Sequence, residues 1–150
     1  MKKVAVVTGA AAGIGREIAL QLARAGYTVY ANGRSEEKLK WTTEAGNDLD
    51  IRPLVFDVRD LESVREAISG LDRIDCLVND AGVTVRKTAI KDVNRDDWDM
   101  ILETNARGYF FVAKYALEKM ERGACIVNMS SGAAKTGGDF VSIPYSVSKG

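Results

Sequence analysis

Residues 4–26 restrict the fold of this chain more than any other segment. Residues 4–7 form a short β-branched run, which is typical of a strand buried in a parallel sheet. After the strand comes the turn Thr8-Gly9-Ala10-Ala11-Ala12-Gly13-Ile14-Gly15, followed by a helix with Ile14, Ile18, Leu22 and Ala25 at helical spacing and Gly26 as its stop signal. Glycines let the backbone approach a phosphate, and a helix N-terminus offers unpaired N–H groups to its charge. The unit therefore predicts a phosphate-binding loop.

The glycine spacing narrows the class of ligand that the loop could bind. It is G-x-x-x-G-x-G, with no Gly-Lys-Ser or Gly-Lys-Thr to make a nucleoside-triphosphate loop. A dinucleotide fold usually has an acid about 20 residues after the loop, where it holds ribose hydroxyls. Here Gly33 and Arg34 take that place. A guanidinium without the acid favours a 2′-phosphate, and the alternative is that Arg34 is only a solvated loop charge.

Strand and helix patterns alternate along the rest of the chain. Strands are predicted at 28–31, 51–56, 76–79 and 124–129, and helices after Ser35, at 61–68 and from 97 to about 122. Such alternation specifies parallel strands with right-handed crossovers. Because Pro53 cannot donate to a ladder, the third strand should be an edge, as it is in the strand order 3-2-1-4-5. We predict one α/β domain over residues 1–150, a doubly wound parallel sheet in three α/β/α layers.

Two further features carry possible chemistry. Asn105 falls within the apolar stripe of the longest predicted helix, so it is either a structural hydrogen-bonding residue or an active-site residue. Tyr145 and Lys149 stand four apart and share one face of a helix. An ammonium group beside a phenol favours the phenolate, which suits acid–base work near neutral pH.

Composition excludes several classes of function. The chain has no histidine, which removes Ser-His-Asp hydrolysis, Cys-His chemistry and nearly all zinc sites. Zero net charge suggests neither nucleic acid nor an anionic membrane as partner. The first apolar run is too short for a signal peptide, and no run is long enough to span a membrane. Cys76 and Cys125 lie in apolar runs and are predicted to be buried free thiols in a cytoplasmic protein.

These stretches together resemble the short-chain dehydrogenase/reductase family. The resemblance covers all 150 residues, because five motifs fall in the family's order: Thr8-Gly9-x-x-x-Gly13-Ile14-Gly15, Asp57-Val58, Asn79-Asp80-Ala81-Gly82, Asn105, and Ser131 with Tyr145-x-x-x-Lys149. It implies a Rossmann-type oxidoreductase that moves a hydride between NADP(H), or alternatively NAD(H), and a small alcohol or carbonyl substrate. It also implies a homo-oligomer, a dimer or a tetramer.

The resemblance assigns roles to individual residues. Tyr145 would give or take the proton, Lys149 would favour the ionised Tyr145 and hold the nicotinamide ribose, Ser131 would bind the substrate oxygen, and Asn105 would hold a water. The motifs also imply the cofactor-binding residues, to which we add Arg34 from its position after the second strand. The full set is Thr8, Gly9, Gly13, Ile14, Gly15, Arg34, Asp57, Val58, Asn79, Ala81, Gly82, Tyr145 and Lys149.

Three departures from the family pattern remain. Asp80 replaces the usual second Asn, and the loop from Ser131 to Tyr145 looks one residue longer, which leaves Ser130 as an alternative catalytic serine. Family members also continue beyond Gly150, so we expect a truncated chain. Its fifth strand would then be an unpaired apolar edge, and the 150-residue piece would be poorly stable or self-associating and inactive. A dinucleotide-binding module without catalysis is the alternative function for such a piece.

Overall fold

The sheet has the topology that the sequence predicts. A computed structural model describes residues 2–137 and 141–150. Five parallel strands lie in the order β3-β2-β1-β4-β5, with β1 Val4–Val7, β2 Thr28–Gly33, β3 Ile51–Val55, β4 Cys76–Asn79 and β5 Cys125–Asn128. The α-helices are α1 Gly13–Arg24, α2 Glu36–Ala45, α3 Leu61–Ser69, α4 Arg95–Leu102, α5 Gly108–Leu117, α6 Ala133–Thr136 and α7 Ile143–Lys149. The doubly wound fold is confirmed.

Both faces of the sheet are covered, because successive residues of β1 point in opposite directions. Val7 belongs to a core cluster with residues of α1 and α2, including Ala19 and Leu39. Val6 belongs to a second cluster with residues of α3 and α5, including Ile68 and Val112. The structure is therefore a three-layer α/β/α sandwich whose strands all end at one edge, where ligands bind in such folds.

The two edges of the sheet differ. Pro53 lies in β3, which has β2 as its only strand neighbour among the described residues, so the predicted edge strand is confirmed. The opposite edge, β5, is exposed along its whole length, including Ile126 and Val127. Its self-association stays a prediction.

The expected state of the cysteines is half right. Cys76 is buried, and burial together with the neighbouring Cys125 thiol raises the pKa of Cys76 to about 12. Cys125 is exposed, contrary to the prediction, because it lies on an edge strand that only β4 flanks among the described residues. Both thiols are free.

The predicted helix over 97–122 is interrupted. It begins at Arg95 in α4, passes through a π-helical turn at Glu103–Arg107, and continues as α5 to Leu117. It stops five residues early because the chain then turns back: the Lys119 carbonyl accepts a hydrogen bond from the N–H of Ile74, and Gly123 adopts φ +99°. In α1 the apolar spacing also misleads, since Ile14 is 61% exposed while Ala19 and Leu20 are buried.

A short 3₁₀ turn at Ile90–Asp92 precedes α4. In the described part of the chain, no helix combines the length and the apolar character needed to cross a bilayer.

The second core cluster should contribute strongly to the free energy of unfolding. Ile68 is 1% exposed, so Ile68→Ala should destabilise the protein by about 2–5 kcal/mol through lost burial and a cavity. Leu117 is 59% exposed, and Leu117→Ala should change the stability by about 0.5 kcal/mol or less. Urea unfolding of the two variants measures the contrast, and equal losses would contradict this description of the core.

Candidate active site

The glycine loop is tied to the end of β4. Thr8, just after β1, is fully buried, and its Oγ1 accepts hydrogen bonds from the backbone N–H groups of Asp80 (3.0 Å) and Ala81 (3.1 Å). Gly9 has φ +68°, and a Cβ there would lie 2.8 Å from the Cα of Ala81. The two strand ends therefore approach each other so closely that only glycine fits at position 9.

The N-terminus of α1 has no cap from its own side chains. Its N-cap residue, Ala12, provides no side-chain cap, and the first turn contains no acidic residue. A helix start of this kind leaves backbone N–H groups for a ligand. Gly15 is buried, and a Cβ there would lie 2.6 Å from the Gly9 carbonyl oxygen, so the loop folds back onto the helix.

A cleft of about 460 Å³ opens at this edge of the sheet. Seven of the predicted cofactor-binding residues line it: Gly9, Gly13, Arg34, Asp57, Val58, Ala81 and Gly82. Thr8 and Asn79 are instead fully buried behind the lining, and Asn79 donates a hydrogen bond to Asn128 Oδ1 of β5 at 2.9 Å. Gly15 supports the loop from below. Ile14 is largely exposed and lies outside the lining.

One end of the cleft carries basic side chains. Arg34 and Lys38 both line it, as do Asp57 and Arg59. The Arg59 guanidinium binds the Asp57 carboxylate (Nη2 to Oδ2, 2.8 Å) and holds the pKa of Asp57 below its ordinary value. Sequence reasoning missed Lys38 and Arg59 as candidate site residues. The position of Lys38 in the first turn of α2, close in sequence to Arg34, could have indicated Lys38.

Asn32, another residue that the sequence did not single out, holds this end together. Its side chain is buried, and its Nδ2 donates to the carbonyls of Leu54 and Phe56, both at 3.0 Å. Its backbone carbonyl accepts the N–H of Ala10 at 2.8 Å. The ends of β2 and β3 are thereby fixed to the glycine loop.

Asn105 lies in the π-helical turn and is almost fully buried. Its Oδ1 accepts the N–H of Val83 (2.8 Å), and its Nδ2 donates to the Val83 carbonyl (2.9 Å) and to Ser148 Oγ of α7 (2.9 Å). These contacts are structural. They leave the possible role in holding a water as a prediction, although π-helical turns are frequent at functional sites.

Lys149 contacts a different tyrosine from the one that the sequence suggests. Its Nζ donates to Tyr109 Oη at 2.9 Å and to the Met129 carbonyl at 2.7 Å, and it lies 4.7 Å from the centroid of the Tyr109 ring. Burial lowers the pKa of Lys149, and the charge of Asp80 opposes this shift. Burial also raises the pKa of Tyr109, with Asp80 and Tyr145 adding to the effect.

Tyr145 is half-buried one turn before Lys149 on α7. Tyr145 and Lys149 therefore share a helix face. Among the described residues, the Lys149 ammonium donates its hydrogen bonds to Tyr109 and to the Met129 carbonyl instead. Tyr109 could not be recognised from local spacing, because it lies 40 residues away on α5.

The two candidate serines have different surroundings. Ser131 Oγ accepts the N–H of Ala133 at 3.2 Å, at the start of α6, whereas Ser130 Oγ donates to the Lys149 carbonyl at 2.8 Å. Ser130 also lines a second cavity of about 300 Å³ with Asn105, Tyr109 and Lys149. Residues 138–140 of the predicted longer loop lie outside the described residues.

Residues 3–150 match the short chain dehydrogenase family. The chain belongs to this family. Among curated members it is 37% identical to an acetoacetyl-CoA reductase of Acinetobacter sp., covering 99% of this chain and 63% of the relative. It is likewise 37% identical to a 3-oxoacyl-(acyl-carrier-protein) reductase of Staphylococcus aureus, covering 87% of this chain and 56% of the relative.

Solved structures of other short-chain dehydrogenases give the same fold. An actinorhodin polyketide ketoreductase with NADPH superposes with a TM-score of 0.90 at 32% identity, covering 99% of this chain and 60% of that one. The chain thus spans about three-fifths of the length of these relatives.

The contacts of Asn105 predict a specific loss of stability. Asn105→Ala removes the partners of both backbone polar groups of Val83 and should cost about 2–3 kcal/mol of unfolding free energy. Asn94→Ala, which removes an exposed N-cap from α4, should cost about 1 kcal/mol and serves as the matched control. Urea denaturation provides the comparison. A loss for Asn105→Ala no larger than that of the control would rule out the structural role.

Proposed function

We propose that this short-chain dehydrogenase is an NADP(H)-dependent oxidoreductase acting on an alcohol or ketone. The observation that carries the proposal is that Gly82, which lines the cleft, lies beside the polar side chains of Asn105 and Lys149. A Cβ on Gly82 would lie 3.5 Å from Asn105 Oδ1 and 3.7 Å from Lys149 Nζ, and Gly82 itself lines the cleft. The cleft therefore lies beside the second cavity, which Asn105 and Lys149 line.

The cleft fits a dinucleotide. The uncapped N-terminus of α1 suits a pyrophosphate. Because positions 9 and 15 are glycines, the loop packs directly against its neighbours with no side chain in between. Gly9, Gly13, Ala81 and Gly82 would line its path. When bound, the nicotinamide cofactor supplies or accepts the hydride.

The basic end of the cleft supports NADP(H) over NAD(H). A Cβ at Gly33 would lie 3.0 Å from two carbons of the Leu39 side chain, so an acidic residue there would require Leu39 to move. Arg34 and Lys38 line the cleft beside this point and can pair with a 2′-phosphate. The ketoreductase to which this chain is similar was solved with NADPH.

The residues of α7 would manage the proton. Tyr145 gives a proton to the substrate oxygen in reduction and takes it back in oxidation. The half-buried ammonium of Lys149, held by Tyr109 and the Met129 carbonyl, supplies the positive charge near this exchange. Ser131 would bind the same substrate oxygen as charge develops on it, with Ser130 as the alternative, and Asn105 would order a water for proton supply.

The reductase names of the relatives support a carbonyl group as the substrate's reacting part. We propose a homo-oligomer, a dimer or a tetramer, as the form of the full-length protein. Two free thiols fit a reducing, cytoplasmic setting.

Removing the basic side chains should reduce cofactor discrimination. Arg34→Ala is expected to weaken NADPH binding about ten- to a hundredfold, because a charge-assisted contact to phosphate is worth about 1.5–3 kcal/mol, and to leave NADH binding nearly unchanged. Lys38→Ala should act in the same direction. Lys40→Ala, on the same helix but outside the cleft lining, is the control. Fluorescence titration measures the affinities, and equal binding of the two cofactors by the unmodified protein would refute the preference.

The proton donor can be tested in the full-length enzyme. Tyr145→Phe keeps the ring but removes the hydroxyl, so kcat should fall by at least about a hundredfold while the cofactor still binds. Lys149→Ala should weaken both turnover and cofactor binding. Ser131→Ala against Ser130→Ala assigns the catalytic serine. Steady-state kinetics with a ketone substrate measures all four variants, and near-normal turnover by Tyr145→Phe would disprove the assigned mechanism.

A further inference from the structure

Asp80 is an acidic side chain at the floor of the cleft. It follows β4, lines the cleft, and its backbone N–H is held by Thr8 Oγ1. Its carboxylate reaches the first turn of α1: Oδ2 lies 2.7 Å from the point that a Cβ on Gly15 would occupy, and the N–H of Gly15 donates to the carboxylate. A protein anion thus already lies at the helix N-terminus that is proposed to bind the pyrophosphate.

The surroundings of this carboxylate shift its pKa upward. The Gly9 carbonyl oxygen, another acceptor, lies 2.6 Å from the same point beside Gly15. Burial raises the pKa of Asp80, while Lys149 of α7 and the Gly15 N–H oppose the shift. Among the described residues, Tyr109 of α5 also interacts with Asp80, whose charge helps to raise the pKa of Tyr109.

Two anions at one helix terminus repel each other. A pyrophosphate remains ionised throughout the neutral and weakly acidic range, whereas a partly buried carboxylate becomes neutral by taking one proton from solvent. The carboxylic acid then has an O–H to donate. Protonation therefore removes the repulsion and supplies a hydrogen-bond donor.

We infer that Asp80 is a proton-linked control on cofactor affinity, taking up a proton when the dinucleotide binds at the glycine loop. This rests on the proposed function. Affinity should consequently be higher at lower pH, and an amide at position 80, neutral at every pH, should remove the dependence. The relation follows from linkage, since a ligand that favours the protonated state must bind it more tightly.

The test measures NADH binding by the full chain from about pH 5 to about pH 8. NADH lacks the 2′-phosphate, so its own phosphates do not titrate in this range. The unmodified protein should bind NADH progressively more weakly as pH rises, by up to about tenfold more than Asp80→Asn across the range. Calorimetry in two buffers of different ionisation enthalpy counts the protons taken up. Asp72→Asn, which removes an exposed carboxylate between α3 and β4, is the control and should behave like the unmodified protein.

Three results would overturn the inference. Identical pH profiles for the unmodified protein and Asp80→Asn would exclude Asp80 as the linked group, as would a profile that Asp72→Asn also flattens. If Asp80→Asn does not fold, the absence of proton uptake when the unmodified protein binds NADH would also exclude Asp80 as the linked group. Failure of both NADH and NADPH to bind any variant would overturn the proposed function itself, which separates the two outcomes.

Discussion

The Thr8 hydroxyl is the contact on which the site depends. By accepting two backbone N–H groups from the chain that leaves β4, it joins the ends of the two central strands below the glycine loop. A buried oxygen that satisfies two buried donors is costly to remove, because each unpaired N–H carries a desolvation penalty of about 1–3 kcal/mol. The close approach of Gly9 to Ala81 and the floor of the cleft both follow from this junction.

The large features of the fold were predictable because they repeat a local rule. Strand, turn and helix recur, the parallel crossovers have one hand, and Pro53 marks an edge, so the strand order needed no long-range information. The position of the glycine loop and of Arg34 at the cleft was predictable in the same way, since it depends on neighbours in sequence. In contrast, the exposed Ile14 shows that helical spacing identifies a stripe but not how far the sheet extends beneath it.

The contacts that give the site its electrostatics were not predictable from spacing. Lys149 meets Tyr109 across two helices, and Asp80 meets the backbone of Gly15 across the sheet edge. Each pairing joins groups at least 40 residues apart and depends on side-chain direction within a packed core. The same burial that hides these pairs from sequence reasoning shifts their pKa values, upward for Asp80 and downward for Lys149. Their mutual attraction moderates both shifts.

The π-helical turn has a geometric consequence for the rod formed by α4 and α5. An α-helix rotates by about 100° per residue, so one extra residue in a turn changes which side of the rod faces inward. Before the turn, α4 packs against α7, the helix that carries Tyr145 and Lys149; after it, α5 packs against α3 in the core. The two halves of this nearly continuous helix thus pack against different helices. The first half therefore faces the helix that carries Tyr145 and Lys149, and the second half faces the core, with Tyr109 at its start reaching Lys149.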